Sequence, residues 1–95
     1  MVRMDSLLTY RIAAPEDVQG RHIPAARTLL DWTKARAAQA CGVGVNTIGR
    51  FEKDVEALTP RTVGDIVRTF EANGVVFVRA DVGAGVLLRQ PADEA

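Results

Sequence analysis

A chain of 95 residues, 47% hydrophobic and 25% charged, is long enough for one small globular core and too short for two. Its single cysteine excludes an internal disulfide, and one cysteine with one histidine falls short of the ligand set of a structural zinc site. Because no apolar run reaches the length of a membrane span and no signal-peptide pattern is present, we expect a cytoplasmic protein with no membrane partner.

The formal net charge of zero hides an uneven distribution. Residues 21–53 hold six Lys or Arg and two Asp or Glu, a net charge of +4, whereas residues 1–20 carry −1 and residues 54–95 carry −3. A basic segment is the electrostatic signature of a nucleic-acid binder, although a chance fluctuation of a few charges accounts for the same count. The charge alone therefore leaves both interpretations open.

The chain begins with a segment of weak periodicity. Residues 7–12 have the composition of a short strand, but the apolar residues of 1–20 follow no useful period, and we predict a flexible N-terminal arm there. The arm is followed by a helical domain over 21–73, a β-hairpin over 74–90 and a tail over 91–95.

Four helices are predicted in the helical domain, at about 24–32, 34–41, 45–52 and 60–72. Pro24 and Pro60 suit the first turn of a helix, because the N–H that proline lacks would be unpaired there. Thr33 can cap the second helix through its hydroxyl, and Gly42 can end it in a left-handed conformation.

The hairpin is predicted from two aliphatic and β-branched runs, 75–79 and 85–89, around a glycine-containing loop. The last helix carries an apolar stripe at i, i+3, i+4 and i+7 from Val63 to Phe70, which predicts a face turned toward a core. We expect the common core to contain Leu29, Leu30, Ala38, Cys41, Val43, Ile48, Phe51, Ile66 and Phe70.

Residues 32–52 combine the features that two short, closely packed helices need. Ala38 is small where the helices approach, Gly42 permits the turn, and apolar anchors, among them Ile48 and Phe51, lie on both sides. This stretch resembles the Cro/repressor-type (xenobiotic-response-element) helix-turn-helix family, and the resemblance extends over about 23–70. It implies a mainly α fold, a four-helix Cro/repressor-like domain with a C-terminal β-hairpin, and the function of a DNA-binding transcriptional regulator.

By that resemblance, the second helix of the pair would lie in the major groove of double-stranded DNA. Lys34 and Arg36, at the start of the preceding helix, would contact phosphate. Asn46 can pair with adenine, Arg50 with guanine, and Val45 can touch a thymine methyl. The candidate DNA-binding residues are Lys34, Arg36, Gly44, Val45, Asn46, Thr47, Gly49 and Arg50.

The resemblance also implies a structural ion pair. In the family, a basic residue in the first helix often pairs with an acid that closes the reading helix. Arg27 and Glu52 occupy these positions, and we expect them to lie within salt-bridge distance; the alternative is that they are two separate surface charges.

The residues give no support to an enzyme. Ser6 is the only serine and lies in the predicted arm, so a triad with His22 is not expected. Cys41 is typical of a small core residue near a helix end. Residues 44–51 lack the Lys and Ser/Thr of a phosphate loop. We therefore expect neither catalysis nor a cofactor nor a metal.

A second hypothesis is a protein-binding module, an antiactivator or antitoxin-like protein that uses the same frame to bind another regulator. It is favoured by the acidic charge outside the motif and by the short, glycine-flanked reading helix. The hairpin could form the interface, either with that regulator or in a homodimer. The candidate interface residues are Val75, Phe77, Val86 and Leu88.

Overall fold

The computed structural model describes residues 10–55 and 57–90. In chain order the elements are strand β1 (Arg11–Ile12), a 3₁₀ turn (Pro15–Asp17), helices α1 (His22–Leu30), α2 (Lys34–Cys41), α3 (Val45–Glu52) and α4 (Pro60–Ala72), and strands β2 (Val75–Ala80) and β3 (Gly83–Leu88). This order confirms the predicted fold class, four helices followed by an antiparallel hairpin. No helix within the described residues is long and apolar enough to cross a membrane.

Helices α2, α3 and α4 begin and end where their sequence signals place them. The Thr33 hydroxyl accepts the N–H of Arg36 at 3.0 Å, and Thr59 caps α4 in the same way through the N–H of Thr62 at 3.3 Å. Helix α1 differs from its prediction of 24–32 at both ends. It begins at His22, two residues before Pro24, and it ends at Leu30 because Asp31 takes a left-handed conformation (φ 57°).

The sheet has the strand order β1-β2-β3, and both pairings are antiparallel. Arg11 pairs with Arg79 and Ile12 with Val78, and the N–H of Ala13 donates to the Phe77 carbonyl at 2.8 Å. The predicted flexible arm is therefore wrong for residues 11–13. The physical reason is that β2 has a second edge whose backbone N–H and C=O groups need partners. Because these partners are distant in sequence, the apolar residues of the N-terminal segment show no periodicity that would predict the strand. Residues 1–9 lie outside the described part of the chain.

The core lies between the helices and one face of the sheet. Ile48 and Phe51 are buried at 0% and 7% exposure, which confirms the predicted register of α3. Leu29 was predicted to be in the core, but it is 38% exposed. Ile23 and Ala26 form the buried side of α1 instead. The buried residues are Ala13, Val18, Ile23, Ala26, Ala37, Ala38, Ile48, Phe51, Ile66, Val67, Phe70, Val75 and Phe77, with Leu30, Cys41 and Val43 partly buried against them.

Three aromatic rings join the helical layer to the sheet. The ring of Phe70 on α4 lies 5.4 Å from that of Trp32, which follows α1. On its other side Phe70 meets Phe77 of β2 edge-on, with the ring centroids 6.3 Å apart. Because Phe70 and Phe77 are almost fully buried, this contact fixes α4 on the inner face of the hairpin.

An ion pair joins α1 to the end of α3. Arg27 Nε donates to Glu52 Oε2 at 2.7 Å and its Nη2 donates to Oε1 at 3.1 Å, while Nη1 donates to the Trp32 carbonyl at 3.2 Å. The two side chains are 17% and 4% exposed. The structure thus brings together the two residues that the sequence analysis paired, in a two-pronged geometry that satisfies both carboxylate oxygens.

A close backbone contact holds α3 at the same end. Gly20, which precedes α1, is buried, and a Cβ built on it would lie 1.7 Å from the Phe51 carbonyl oxygen and 2.6 Å from its carbon. The obstacle is main chain near the end of a helix, so it cannot swing aside as a flexible side chain would. Only glycine therefore fits at position 20 without moving α3.

Replacing Arg27 with alanine should lower the free energy of unfolding by about 3 kcal/mol, because the buried Glu52 carboxylate loses its counter-charge. The matched control is Arg21→Ala, which removes the exposed pair with Asp54 (69% and 51% exposed, 3.4 Å) and should cost at most about 1 kcal/mol. Urea unfolding measures both. Equal costs for the two variants would contradict a structural role for the Arg27–Glu52 pair.

A Gly20→Ala substitution should destabilise the domain by about 1–3 kcal/mol, the usual cost of an overpacked site. Gly49→Ala serves as its control, because a Cβ there meets nothing within 4 Å and the residue lies inside α3. This second variant should gain about 0.5–1 kcal/mol. Thermal and urea unfolding should place the variants on opposite sides of the wild type; a neutral Gly20→Ala would refute the close contact.

Candidate nucleic-acid interface

The turn between α2 and α3 consists of Gly42, Val43 and Gly44. Gly42 has φ 73°, its N–H donates to the Gln39 carbonyl at 3.3 Å, and the Val43 N–H donates to the Ala38 carbonyl at 3.0 Å. This pair of bonds is the Schellman arrangement, which satisfies carbonyls at the end of α2 and redirects the chain. Gly44 then precedes α3 in an extended conformation with no side-chain cap.

The packing of α2 against α3 determines which side of α3 faces solvent. Ala37 and Ala38 are buried at 0% and 4% exposure, so α2 presents methyl groups that allow a close approach. Ile48 and Phe51 anchor α3 from the other side of the contact. The opposite face of α3 is left exposed from its first turn to its last.

That exposed face forms the floor of an open concave surface of about 520 Å³, here called the α3 groove. Its lining includes three cations, of which Lys34 begins α2, Arg50 is on α3 and Lys53 directly follows α3. Among residues 10–55 and 57–90, no carboxylate is part of the lining. The residues that line the α3 groove are Lys34, Val45, Asn46, Gly49, Arg50, Lys53 and Val55.

The groove contains most, but not all, of the candidate DNA-binding residues. Lys34, Val45, Asn46, Gly49 and Arg50 line it. The other three candidates, Arg36, Gly44 and Thr47, lie outside its lining.

In the structure Arg36 contacts the Trp32 ring, whereas its position at the start of α2 suggests a contact with phosphate. Its guanidinium carbon lies 5.1 Å from the centroid of the Trp32 ring, which is a cation–π contact on the exposed surface.

The sequence analysis missed two lining residues. Lys53 could have been found, because it is three residues after Arg50 and four after Gly49, the spacing of one helix face. Val55 follows the end of α3, where helical spacing no longer applies, and it is 71% exposed. No pattern in the sequence indicates its place beside the groove.

The interface predicted on the hairpin needs a correction. Val75 and Phe77 are 0% and 1% exposed, since both point into the core beneath the helices, and neither can contact a partner. Val86, opposite Phe77 in the sheet, is half-buried, and only Leu88, at 43%, is exposed. Strand residues alternate between two faces, and the four candidates all belong to the inner one.

Cys41 and His22, which were considered for catalysis, each form a hydrogen bond within the fold. Burial raises the pKa of the Cys41 thiol, against a smaller opposing effect of its hydrogen bond with Thr69, so the thiol is protonated at neutral pH. The Nδ1 of His22 accepts the N–H of Gln19 at 3.0 Å, and burial, aided by neighbouring Arg21, lowers its pKa. Within residues 10–55 and 57–90, no group of three His, Cys, Asp or Glu is placed to hold a metal.

Comparison with known proteins gives one family match. A helix-turn-helix family model matches residues 25–73, about half of the chain, and this range contains α2, the turn, α3 and α4. No curated protein matches the chain. The resemblance found in the sequence is confirmed, and the chain belongs to the Cro/C1-type helix-turn-helix family of DNA-binding regulatory domains.

Proposed function

We propose that the protein is a transcriptional regulator that inserts α3 into the DNA major groove and contacts DNA through the α3 groove. One observation carries the proposal: Lys34, Asn46, Arg50 and Lys53 line a single exposed surface, and none of the described residues that line it is an acid. The chain as a whole has no net charge, whereas residues 21–53, which contain the helix-turn-helix, carry +4. Cations around an exposed helix face attract phosphate, and side chains on that face can reach base edges.

The proposed contacts divide into two classes. Lys34 and Lys53, which flank the exposed face of α3, contact backbone phosphates and position the helix. Asn46 and Arg50 contact base edges, adenine and guanine respectively. Gly49 lies between them, and its missing side chain permits the helix backbone to come close to the bases.

The start of each motif helix adds further candidates. Arg36, whose guanidinium carbon lies over the Trp32 ring, is exposed and can donate to a phosphate. Gly44 and Thr47, at the N-terminus of α3, offer backbone N–H groups and a hydroxyl where the helix dipole favours an anion. Val45, 47% exposed, is suited to a thymine methyl.

Alanine at Lys34 and at Arg50 should produce different defects. Lys34→Ala should weaken binding to every duplex and reduce the slope of log K against log salt by about one unit. Arg50→Ala should cost about 1–3 kcal/mol on a duplex selected from random sequence and little on its scrambled counterpart. Fluorescence anisotropy titrations at several salt concentrations measure both effects.

The control for these titrations is Arg61→Ala. Arg61 is an exposed cation in the first turn of α4, outside the α3 groove, so its removal should leave the affinity nearly unchanged. If the folded wild type binds the selected duplex no more tightly than the micromolar level of non-specific binding, the DNA role is wrong.

A second candidate function, binding to another regulatory protein, is favoured by one observation. Val45 and Val55 are 47% and 71% exposed beside the groove, which is more apolar surface than a phosphate-binding site needs. Such an interface would be weakened by Val55→Asp and would depend little on salt. DNA binding, by contrast, would fall steeply with salt for the wild type and lose most when the groove cations are removed.

A further inference from the structure

Trp32, the only tryptophan of the chain, is held in the turn between α1 and α2. Its main-chain N–H donates to the Arg27 carbonyl at 2.9 Å, and its own carbonyl accepts Arg27 Nη1 at 3.2 Å. Its ring packs on that of Phe70, which is fully buried, with the centroids 5.4 Å apart. The position of the Trp32 ring is therefore fixed by the same core that orients the helix-turn-helix.

The guanidinium of Arg36 lies over this ring at the surface of the protein. Its carbon is 5.1 Å from the ring centroid, within the range of a cation–π contact. The main-chain N–H of Arg36 donates to the Thr33 hydroxyl at 3.0 Å, so the base of the side chain is fixed as well. Among residues 10–55 and 57–90, no carboxylate forms an ion pair with Arg36. The charge is thus held by the ring and is accessible to an anion from outside.

An aromatic ring at this place has two effects on a cation in the first turn of α2. The helix dipole opposes a positive charge at a helix N-terminus, and the electron-rich face of an indole offsets that opposition. An arginine side chain also has many rotamers, and ordering them when a ligand binds costs free energy. A guanidinium that already lies on a fixed ring has lost part of that freedom before the ligand arrives.

Lys34, the other cation of this turn, is on a different side of α2. It lines the α3 groove, whereas Arg36 lies outside the lining. Residues two apart in a helix do not face each other. DNA bound in the groove would therefore meet Lys34 within the groove and Arg36 beside it.

We propose that Trp32 is a positioning residue for DNA binding: its ring holds the Arg36 guanidinium ready to contact a backbone phosphate beside the α3 groove. This inference rests on the proposed function, and it adds a residue that touches no DNA itself. The effect of Trp32 on binding passes through Arg36. Because a phosphate contact carries no sequence information, the effect should be the same for every duplex.

A double-mutant cycle on DNA binding tests this route with the full chain, Trp32→Leu, Arg36→Ala and the two changes together. Fluorescence anisotropy measures binding to the selected duplex and to its scrambled counterpart. Arg36→Ala should weaken binding to both duplexes and reduce the slope of log K against log salt by about one unit. Trp32→Leu should weaken both by about two- to fivefold, the strength of an exposed cation–π contact, and should have no further effect once Arg36 is alanine.

Two further variants separate positioning from a loss of packing. Trp32→Phe keeps an aromatic face and should restore most of the affinity that Trp32→Leu loses. Phe77→Leu removes a different ring that packs on Phe70, so it should lower the unfolding temperature and leave the DNA affinity of the folded chain unchanged. Circular dichroism confirms that every variant is folded at the temperature of the titrations.

A measurement without DNA tests the contact itself. In the proton NMR spectrum of the free chain, the ring current of Trp32 should shift the δ protons of the Arg36 side chain upfield. The shift should vanish in Trp32→Leu and persist in Phe77→Leu.

The outcomes distinguish this inference from the proposed function. If the wild type binds the selected duplex no more tightly than the micromolar non-specific level, the proposed function is wrong and this inference is wrong with it. If the wild type binds but Trp32→Leu costs as much affinity without Arg36 as with it, only this inference is wrong. Absence of the ring-current shift in the wild type also overturns it, whatever the affinity for DNA.

Discussion

A carboxylate buried at the C-terminal end of a helix is doubly unfavourable, because it is desolvated and lies at the negative end of the helix dipole. Glu52 is in this position, and the fork of Arg27 compensates for it by occupying both oxygens at 2.7 and 3.1 Å. The same guanidinium holds the Trp32 carbonyl just before α2 begins. One side chain thus connects α1, the start of the motif and the end of α3, while Gly20 admits the Phe51 backbone at the same point. The orientation of the proposed reading helix depends on this corner.

Local chemistry made much of this fold predictable. The signals that define the motif helices are local: the cap at Thr33, the turn at Gly42, and the helical spacing of Ile48 and Phe51. Both helices begin and end where these signals predict. The local signals could not predict that residues near the start of the chain pair with β2. The strand at Arg11–Ile12 exists because β2 has a second edge to satisfy, and nothing in the local sequence records that need.

The two errors of site assignment have related causes. Val75 and Val76 are the same residue type on opposite faces of one strand, so a period of two cannot tell which face the helices cover. The α3 groove likewise exists only in the tertiary structure, where the start of α2, one face of α3 and the segment after α3 come together. The resemblance supplied Asn46 and Arg50 from α3 itself, whereas Val55 enters only when the chain is folded.

The proposed contacts divide the work of binding between two kinds of interaction. Phosphate contacts from Lys34, Arg36 and Lys53 would give a slope of about −2.7 for log K against log salt, and they would carry no sequence information. Discrimination between sequences would then depend on Asn46 and Arg50, which can reach base edges only if α3 keeps its orientation. That orientation depends on the buried pair of Arg27 and Glu52 at the end of α3, so a residue that touches no DNA would still affect recognition.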